Sequence, residues 1–534
     1  MSFKQGLVAA GCLMLAALPA AAQIEDSGLE LVNPWGMSFL EAGEPSLPTD
    51  MWAASNADDL LPLMRDVRTR ALTPAERTLM RRMALSPARR PSGAQEPQLR
   101  AERARIMFEL GEARAAAALM VRLDEPPPDL DADEITADLT LALGNEASAC
   151  GMLSDPDRQG DYWAKLRAVC AALSGNTAGA ELAIEMALSQ GVEDTWLLNA
   201  VFAASGELPD PPEANYRSGL ALAISTKAGL EPPQDPLPDN RPDLAAAMAD
   251  RESLPLNLRV EAAGMAAEAG LISTADYRAL FEDLLADPDF TPSGPLETAL
   301  YNMRDPFLPM ADRAASLVAA LEAASDSPAH FVSVSNLLLK DIAALPLDSD
   351  TAPYALVFAR AAIAAGDFDM AHDWTTADTM EGAQEDGGFD STFLKALTIL
   401  VGEEVSDSTI AYTGERLVEQ ADTDLQKQAV NRVFTLWAAF DIPAPASGRQ
   451  LMKDMAEADA EPVYLPPVLA TLAAAEAGAA GEVILSTVGY TNGDPTILQP
   501  VGMVLLLDAI QRIDAEDAAR QLALEASGYW KIVQ

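Results

Sequence analysis

A pair of helices joined by a short turn is predicted by residues 147–190, the segment that most restricts how this chain can fold. Apolar residues recur there at three- and four-residue spacings, which place them on one face of each of two helices. The first face carries Tyr162, Trp163, Leu166, Val169, Cys170 and Leu173, and the second carries Ala180, Ala183, Ile184 and Ala187. Gly175 lies between them and suits the left-handed conformation that ends a helix. The small residues of the second face favour a close antiparallel hairpin.

Hairpins of this kind can account for most of the chain. Ala and Leu are abundant, aromatic residues make up only 6% of the sequence, and runs of β-branched residues are scarce. Helical segments of roughly 12–18 residues alternate with proline-rich breaks, without a strict repeat length. We therefore predict an all-α protein, an α-solenoid of degenerate antiparallel helical hairpins that build a TPR-like superhelix.

The pattern of breaks predicts four segments. Residues 1–22 read as a signal peptide and residues 23–57 as an irregular N-terminal arm. Residues 58–229 and 244–534 are predicted to be two helical-repeat halves. The boundary between these halves is placed at 230–243, because this stretch carries five prolines.

The first 22 residues have the pattern of a secretory signal peptide. Lys4 supplies a positive charge, an apolar run extends from Gly6 to Leu18, and small residues precede a predicted cut after Ala22. This predicts export to a Gram-negative periplasm. Cys12 offers a lipoprotein alternative, which is less favoured because about half of the apolar run follows it. No other stretch of the sequence is long and apolar enough to predict a membrane span.

Export would expose Cys150 and Cys170, the two cysteines outside this leader, to an oxidising compartment. Such a pair forms a disulfide in an oxidising compartment. A bridge across 20 residues would stabilise the fold by about 3 kcal/mol in the chain-entropy model. We predict the disulfide, with two reduced buried thiols or a metal pair as the alternatives. The metal alternative lacks further ligands, because His330 and His372 are far away in the sequence.

The net charge of −45 argues against nucleic acid as a partner and against adhesion of most of the surface to anionic lipid. Residues 65–122 depart from this pattern, with thirteen arginines, no lysine and six acidic residues, a net charge of +7. Either these arginines pair with acidic faces of neighbouring helices, or they bind an acidic glycan, lipopolysaccharide or another protein. The candidate partner-binding residues, at a predicted helix end and loop, are Arg81, Arg82, Arg89 and Arg90.

Several helix boundaries can be predicted from local signals. Thr73 is expected to cap a helix whose third residue is Glu76. Asp133 is expected to cap a helix that runs to about Gly144. Further helices are predicted at 97–110, 112–123, 499–512 and 514–526.

No familiar catalytic motif occurs in the sequence: there is no nucleophile elbow, no zinc-protease motif and no phosphate-binding glycine loop. The acidic run at 129–133 begins like a calcium loop, but Glu134 stands where glycine is needed and Thr140 where glutamate is needed. His330 and His372 are predicted to be structural or surface residues. The sequence therefore predicts no enzyme, no cofactor and no metal site.

Three segments resemble a group of exported alphaproteobacterial proteins of unknown function. They are LMRRMALSPA at 79–88, RAER at 100–103 and YWAKLRAVC at 162–170. Members of that group are helical and alanine-rich, and some carry an antifreeze glycopeptide-like label that reflects alanine content, so the resemblance implies no activity. Gly175 and Ala180 in addition resemble the turn of a TPR repeat.

Two functions follow from these observations. The first is a periplasmic helical-repeat scaffold that binds an unidentified protein of the cell envelope, without catalytic activity. The alternative is a periplasmic protein that binds or cleaves a glycan, with its carboxylates hidden among 81 acidic residues. A concave face lined by exposed residues would favour the scaffold. An aromatic-walled cleft with converging carboxylates would favour the glycan-binding protein.

Overall fold

A computed structural model of the chain describes residues 33–531 except for 207, 209, 378–387, 403–404 and 459–465. In the residues described, regular structure consists of α-helices and short 3-10 turns, and no β-strand is formed. The predicted all-α class is confirmed. The predicted signal peptide, its cut after Ala22 and the alternative lipid-bearing Cys12 lie outside the described residues.

Twenty-six α-helices are found in this part of the chain. The first thirteen are α1 (Ala57–Asp66), α2 (Pro74–Leu85), α3 (Glu96–Glu109), α4 (Ala113–Met120), α5 (Ala132–Ala142), α6 (Glu146–Gly151), α7 (Asp161–Leu173), α8 (Thr177–Ser189), α9 (Thr195–Ala204), α10 (Gly219–Ala228), α11 (Pro242–Asp250), α12 (Leu256–Glu268) and α13 (Thr274–Leu284). The remaining thirteen are α14 (Pro295–Arg304), α15 (Met310–Ala323), α16 (Pro328–Ala343), α17 (Ala355–Ala364), α18 (Phe368–Ala377), α19 (Phe389–Val401), α20 (Asp407–Glu419), α21 (Asp424–Ala439), α22 (Ala446–Ala458), α23 (Pro466–Glu476), α24 (Ala480–Thr491), α25 (Pro500–Gln511) and α26 (Glu516–Ala526).

Helices that follow one another in the sequence pack side by side, for example α3 with α4, α7 with α8 and α17 with α18. Helices two positions apart also meet, as α1 does with α3. Residues from Pro34 onward belong to one compact unit. The TPR-like arrangement and the division into two halves at 230–243 stay predictions.

The hairpin predicted at 147–190 is present as α7 and α8. Gly175 lies in the turn between them with a φ of +74°, a conformation that a side chain would strain. Cys170 on α7 forms a disulfide with Cys150 on the short helix α6, which confirms the predicted pairing. The bridge therefore holds α6 against the first helix of the hairpin.

Local signals gave most helix boundaries correctly. Thr73 caps α2 and forms a reciprocal capping box with Glu76, as predicted. The helix pair 97–110 and 112–123 corresponds to α3 and α4, and the pair 499–512 and 514–526 to α25 and α26. The prediction that Asp133 caps α5 is wrong. Asp131 caps it instead, because the helix begins at Ala132 and an Asp131 side-chain oxygen accepts the Asp133 and Glu134 N–H groups, both at 2.9 Å.

An arm without α-helix, residues 33–56, is packed onto α2 and α3. The Trp35 Nε1–H group donates to Glu96 Oε1 at 2.6 Å, and both side chains are buried. Arg103 from α3 lies over the Trp35 ring and donates to the carbonyl oxygens of Ala84 at 2.7 Å and Ser86 at 2.9 Å. Burial lowers the pKa of the Arg103 guanidinium to about 10. The arm is thus held both by this buried cation under Trp35 and by its own buried apolar side chains, Leu47, Met51 and Trp52.

Helices from the two ends of the described chain contact each other, because α2 packs on both α24 and α26. The Ala75 N–H group donates to Glu525 Oε1 at 2.9 Å, and the Thr491 hydroxyl donates to Glu76. The indole of Trp52 lies directly against Gly481, where a side chain would collide with the ring. We call this contact region the terminal seam. It joins segments more than 400 residues apart, whereas a simple solenoid contacts only its neighbours.

Candidate functional site

A cleft of about 970 Å³ is lined by residues of α12, α13, α14 and α16 and of the loop at 287–294. These elements meet because α16 packs on each of the other three helices. We call the cavity the Glu268 cleft, after the residue at the end of α12 that lines it.

One wall of the Glu268 cleft is aromatic. Tyr277 and Phe281 lie one helical turn apart on α13, with ring centroids 5.3 Å apart. Phe290 from the following loop and Val260 from α12 continue this wall. Tyr277 and Phe281 are buried, whereas Phe290 is half-buried. An apolar wall with polar groups beside it is the usual design of a site for a small organic ligand.

Carboxylates face the same cavity. Glu261 and Glu268 come from α12 and Glu297 comes from the first turn of α14. The Ser293 N–H and hydroxyl groups donate to Glu297 Oε2 at 2.7 and 2.8 Å, which fixes that side chain at the rim. Glu261 and Glu268 are both exposed to solvent within the cleft.

Their surroundings shift the pKa values of two of these carboxyl groups. Burial raises the pKa of Glu261, and the negative charges of Asp235 and Glu297 raise it further. Burial also raises the pKa of Glu268, against the opposing attraction of His330 and Arg77. The cleft therefore combines groups that accept hydrogen bonds with groups that hold a proton more readily than an exposed carboxyl does.

His330 lines the same cleft from the first turn of α16. Its N–H group is capped by the Ser327 side chain at 3.1 Å, and its Nδ1 lies 2.9 Å from Asp326 Oδ1. Asp326 thereby orients the ring beside Glu268. His372, the second histidine, is exposed on α18 and lines none of the cavities described here.

A second cavity of about 260 Å³ shares Met265 and Glu268 with the Glu268 cleft. Arg77 from α2 lines it, together with Asn240 and the start of α16. We call it the Arg77 cavity. Burial lowers the pKa of Arg77, and the charge of Glu268 acts in the opposite direction.

The candidate partner-binding arginines lie apart from the Glu268 cleft, along the N-terminal arm. Arg81 forms ion pairs with Glu44 and, at 2.6 Å, with Glu112. Arg82 donates to the carbonyl oxygens of Pro45 at 3.0 Å and Ser46 at 3.2 Å. Both side chains thus hold the arm in place.

The second pair of these arginines is more accessible. Arg90 forms an ion pair with Glu96 at 2.7 Å while its side chain stays 65% exposed. Arg89 is exposed as well. A role of the four arginines in partner binding stays a prediction, and Arg89 and Arg90 are the two that present most of their side chain to a partner.

The sequence did not single out Glu261, Glu268, Tyr277 or Glu297. Tyr277 and Phe281 do show the four-residue spacing of one helix face, but that spacing equally predicts a core residue. Within the described residues, no group of three or more His, Cys, Asp or Glu side chains is placed to hold a metal ion. None of the helices described is long and apolar enough to cross a membrane.

No protein-family model, curated protein or solved structure matches this chain. The resemblance to exported alanine-rich proteins thus stays an expectation from the sequence, and the functional argument depends on the geometry of the site alone.

Proposed function

We propose that this protein is an exported, periplasmic protein of the cell envelope that binds a glycan in the Glu268 cleft. The observation that carries the proposal is one cavity lined by both carboxylates and aromatic side chains, of which the half-buried Phe290 is the accessible one, backed by the buried Tyr277 and Phe281. Aromatic faces stack on the apolar faces of sugar rings, and carboxylates accept hydrogen bonds from sugar hydroxyl groups. The volume of about 970 Å³ suits an oligosaccharide segment rather than a single sugar.

The negative charge of the cleft limits which glycans it can bind. Glu261, Glu268, Glu297 and two aspartates of the loop line it, so an acidic sugar would meet like charges. A neutral or amine-bearing oligosaccharide is the better fit. Binding of an acidic glycan would instead involve the arginines near the arm.

Isothermal titration with neutral, amine-bearing and acidic oligosaccharides tests this assignment. Phe290→Ala and Glu297→Gln should each weaken binding of a neutral oligosaccharide by at least about tenfold, the effect of losing one stacking or charged hydrogen-bond contact. Phe307→Ala and Glu415→Gln are matched controls, because both residues are exposed and lie outside the cleft. An acidic glycan that binds unchanged in both cleft variants would contradict the proposal. Release of reducing sugar by the wild type would extend it from binding to cleavage.

A helical-repeat scaffold, the second candidate, is favoured by the outer surface of α8. Leu182 and Met186 lie one turn apart there and are 58% and 50% exposed, and Leu188 is 51% exposed. Apolar side chains exposed together on one helix are typical of a protein-binding face. In this function a TPR-like solenoid presents α8 to an envelope protein, and catalysis is not expected.

Crosslinked affinity purification from the native envelope distinguishes the two functions. A reproducible protein partner that is lost from the Leu182→Ser, Met186→Ser double variant, but kept by Phe290→Ala, would support the scaffold. A partner lost instead when Arg89 and Arg90 become alanine would locate the interface at the arm. Recovery of glycan without protein would support the cleft.

A further inference from the structure

Trp196, on α9, is the one tryptophan of this chain that is not buried. All seven tryptophans lie within the described residues, and the other six are buried. Trp196 is half-buried, and its indole Nε1–H group donates to the Glu213 carbonyl oxygen at 2.8 Å. This hydrogen bond orients the ring and uses its polar atom, so the accessible part of the ring is apolar and suited to stacking on a ligand.

A cavity of about 360 Å³, which we call the Trp196 pocket, is lined by this ring. Pro233 and Leu237, from the proline-rich stretch before α11, form apolar parts of its wall, and Asn215 forms a polar part. All three residues are half-buried, so each has surface that a ligand can reach. The Asn215 side-chain oxygen accepts the Arg217 N–H group at 2.9 Å, which leaves the amide N–H groups of Asn215 to donate to a ligand.

Backbone hydrogen bonds hold this wall in place. The Ala214 N–H group donates to the Glu231 carbonyl oxygen at 2.8 Å, which joins it to the proline-rich stretch. The Asn215 N–H group donates to the hydroxyl oxygen of Ser225, a buried residue of α10, at 3.0 Å. Because the wall is fixed before a ligand arrives, binding there requires little further ordering of the chain.

The charged residues that line the Trp196 pocket are Glu213, Arg217 and Asp235, all of them exposed. Arg217 forms an ion pair with Asp239 at 3.4 Å. Acidic groups thus outnumber the one basic group, which already has a carboxylate partner. As in the Glu268 cleft, a neutral or amine-bearing sugar fits these charges better than an acidic one does.

The Trp196 pocket adjoins the Glu268 cleft, because Leu237 lines both cavities. Burial raises the pKa of Glu261 in the cleft, and the charge of Asp235 in the pocket raises it further, so the two cavities are within electrostatic reach of each other. A ligand that follows this surface would pass over the accessible part of Leu237 from one cavity into the other.

We propose that the Trp196 pocket binds a further segment of an unbranched oligosaccharide whose first segment lies in the Glu268 cleft, with Trp196 stacked on a sugar ring and Asn215 donating to a sugar hydroxyl group. This inference rests on the proposed function of the cleft and adds the length and linear form of the glycan. Two adjoining cavities suit an extended chain, whereas a disaccharide would occupy only one of them.

The test uses the full chain and isothermal titration with two series of oligosaccharides, each from the disaccharide to the hexasaccharide. Chitosan oligosaccharides are amine-bearing and cello-oligosaccharides are neutral. In a series that binds, we expect the hexasaccharide to bind at least about tenfold more tightly than the disaccharide, because the contacts with Trp196 and Asn215 are added. Equal affinities would overturn the proposal.

Variants locate the added contact. Trp196→Ala should weaken hexasaccharide binding by at least about tenfold and leave disaccharide binding unchanged. Tyr412→Ala is the matched control, because it removes an exposed aromatic side chain that lines neither cavity, and it should change neither affinity. A hexasaccharide that binds Trp196→Ala as tightly as it binds the wild type would overturn the proposal.

Tryptophan fluorescence gives a second measurement, which does not depend on the folding of Trp196→Ala. Since the other six tryptophans are buried, the wild-type emission should shift when the hexasaccharide covers Trp196, and should not shift with the disaccharide. Unchanged emission at saturation with the hexasaccharide would contradict stacking on this ring.

Phe290→Ala separates this proposal from that of the cleft, because it should weaken binding of the disaccharide and the hexasaccharide alike. If no oligosaccharide of either series binds, the function proposed for the cleft is refuted together with its extension. If binding is weakened in Phe290→Ala but not in Trp196→Ala, only the extension is refuted. Hexasaccharide binding that is lost in Trp196→Ala but kept in Phe290→Ala would place the glycan in the pocket alone and refute a chain shared by the two cavities.

Discussion

Glu525 offers a direct test of the terminal seam through the pH dependence of stability. The side chain is fully buried, and burial, with a smaller contribution from the charge of Glu76, raises its pKa from 4.5 to about 8 against the opposing effect of hydrogen bonds from Thr73 and Ala75. Glu525 Oε1 accepts the Ala75 N–H group, which fixes the carboxyl beside α2. At neutral pH the folded protein therefore keeps a proton on Glu525 that the unfolded chain has released.

The sign and size of the effect follow from these two pKa values. Because the folded state binds the extra proton, the free energy of unfolding falls as the pH rises from 4.5 to about 8. The fall is about 1.4 kcal/mol per pH unit, which amounts to about 5 kcal/mol over the whole window. Below pH 4.5 both states are protonated and the full contribution is present.

The variant Glu525→Gln removes this titration but keeps an oxygen for the Ala75 N–H group. We expect its free energy of unfolding to exceed that of the wild type by an amount that grows by about 3 kcal/mol between pH 5 and pH 7.5. Urea denaturation followed by far-ultraviolet circular dichroism at fixed pH values measures the difference. Glu415→Gln makes the same substitution at an exposed position, and its difference from the wild type should not change with pH.

A constant difference between Glu525→Gln and the wild type across this pH range would refute the reasoning. It would mean that Glu525 titrates as an exposed carboxyl does, and hence that the seam between α2 and α26 is open to water.

Two other predictions concern covalent and steric features of the fold. Reducing the Cys150–Cys170 disulfide, or replacing both cysteines with serine, should lower the free energy of unfolding by about 3 kcal/mol, because the bridge closes a loop of 20 residues. The change is measured as a shift of the denaturation midpoint with and without reductant, and equal midpoints would contradict the prediction. Gly481→Ala should destabilise the protein by about 1–3 kcal/mol, because the new methyl group collides with the Trp52 ring. Gly489→Ala on the same helix has open space around it and should instead stabilise the protein by up to about 1 kcal/mol, because alanine favours a helix more than glycine does. Comparable thermal shifts in the two variants would show that the ring can move aside.

The features that the sequence predicts well are those set by interactions between residues close together in the chain. The capping box at Thr73 and the glycine turn before α8 depend on residues within a few positions of each other, so local patterns suffice. The disulfide could be predicted because few cysteines limit the possible pairs. The prediction that Asp133 caps α5 is wrong because it also uses a local pattern alone. Asp131 is an equally good cap two residues earlier, and the sequence does not choose between the two.

The terminal seam and the two cavities could not be predicted, because their parts come from distant helices. Nothing near Gly481 indicates Trp52 as its neighbour, although the two lie in direct contact. Glu268 and Glu297 are two among 81 acidic residues, and only packing of their helices brings them to one cleft. Nothing in the sequence around Arg77 distinguishes it from the other arginines of its segment. Its Nε and Nη1 atoms are buried without a hydrogen-bond partner among the described residues, and this depends on how the surrounding helices pack.

The terminal seam also constrains the order in which this chain can acquire its structure. Ala75 and Glu525, hydrogen-bonded in the folded protein, are 450 residues apart. Contacts over such distances form late and slow the folding of a domain. The part of α2 that faces α24 and α26 is covered only once those helices exist, so during synthesis it stays an uncovered apolar surface until the last helices arrive. A chain of this design depends on protection from aggregation for longer than a solenoid whose repeats cover each other in sequence.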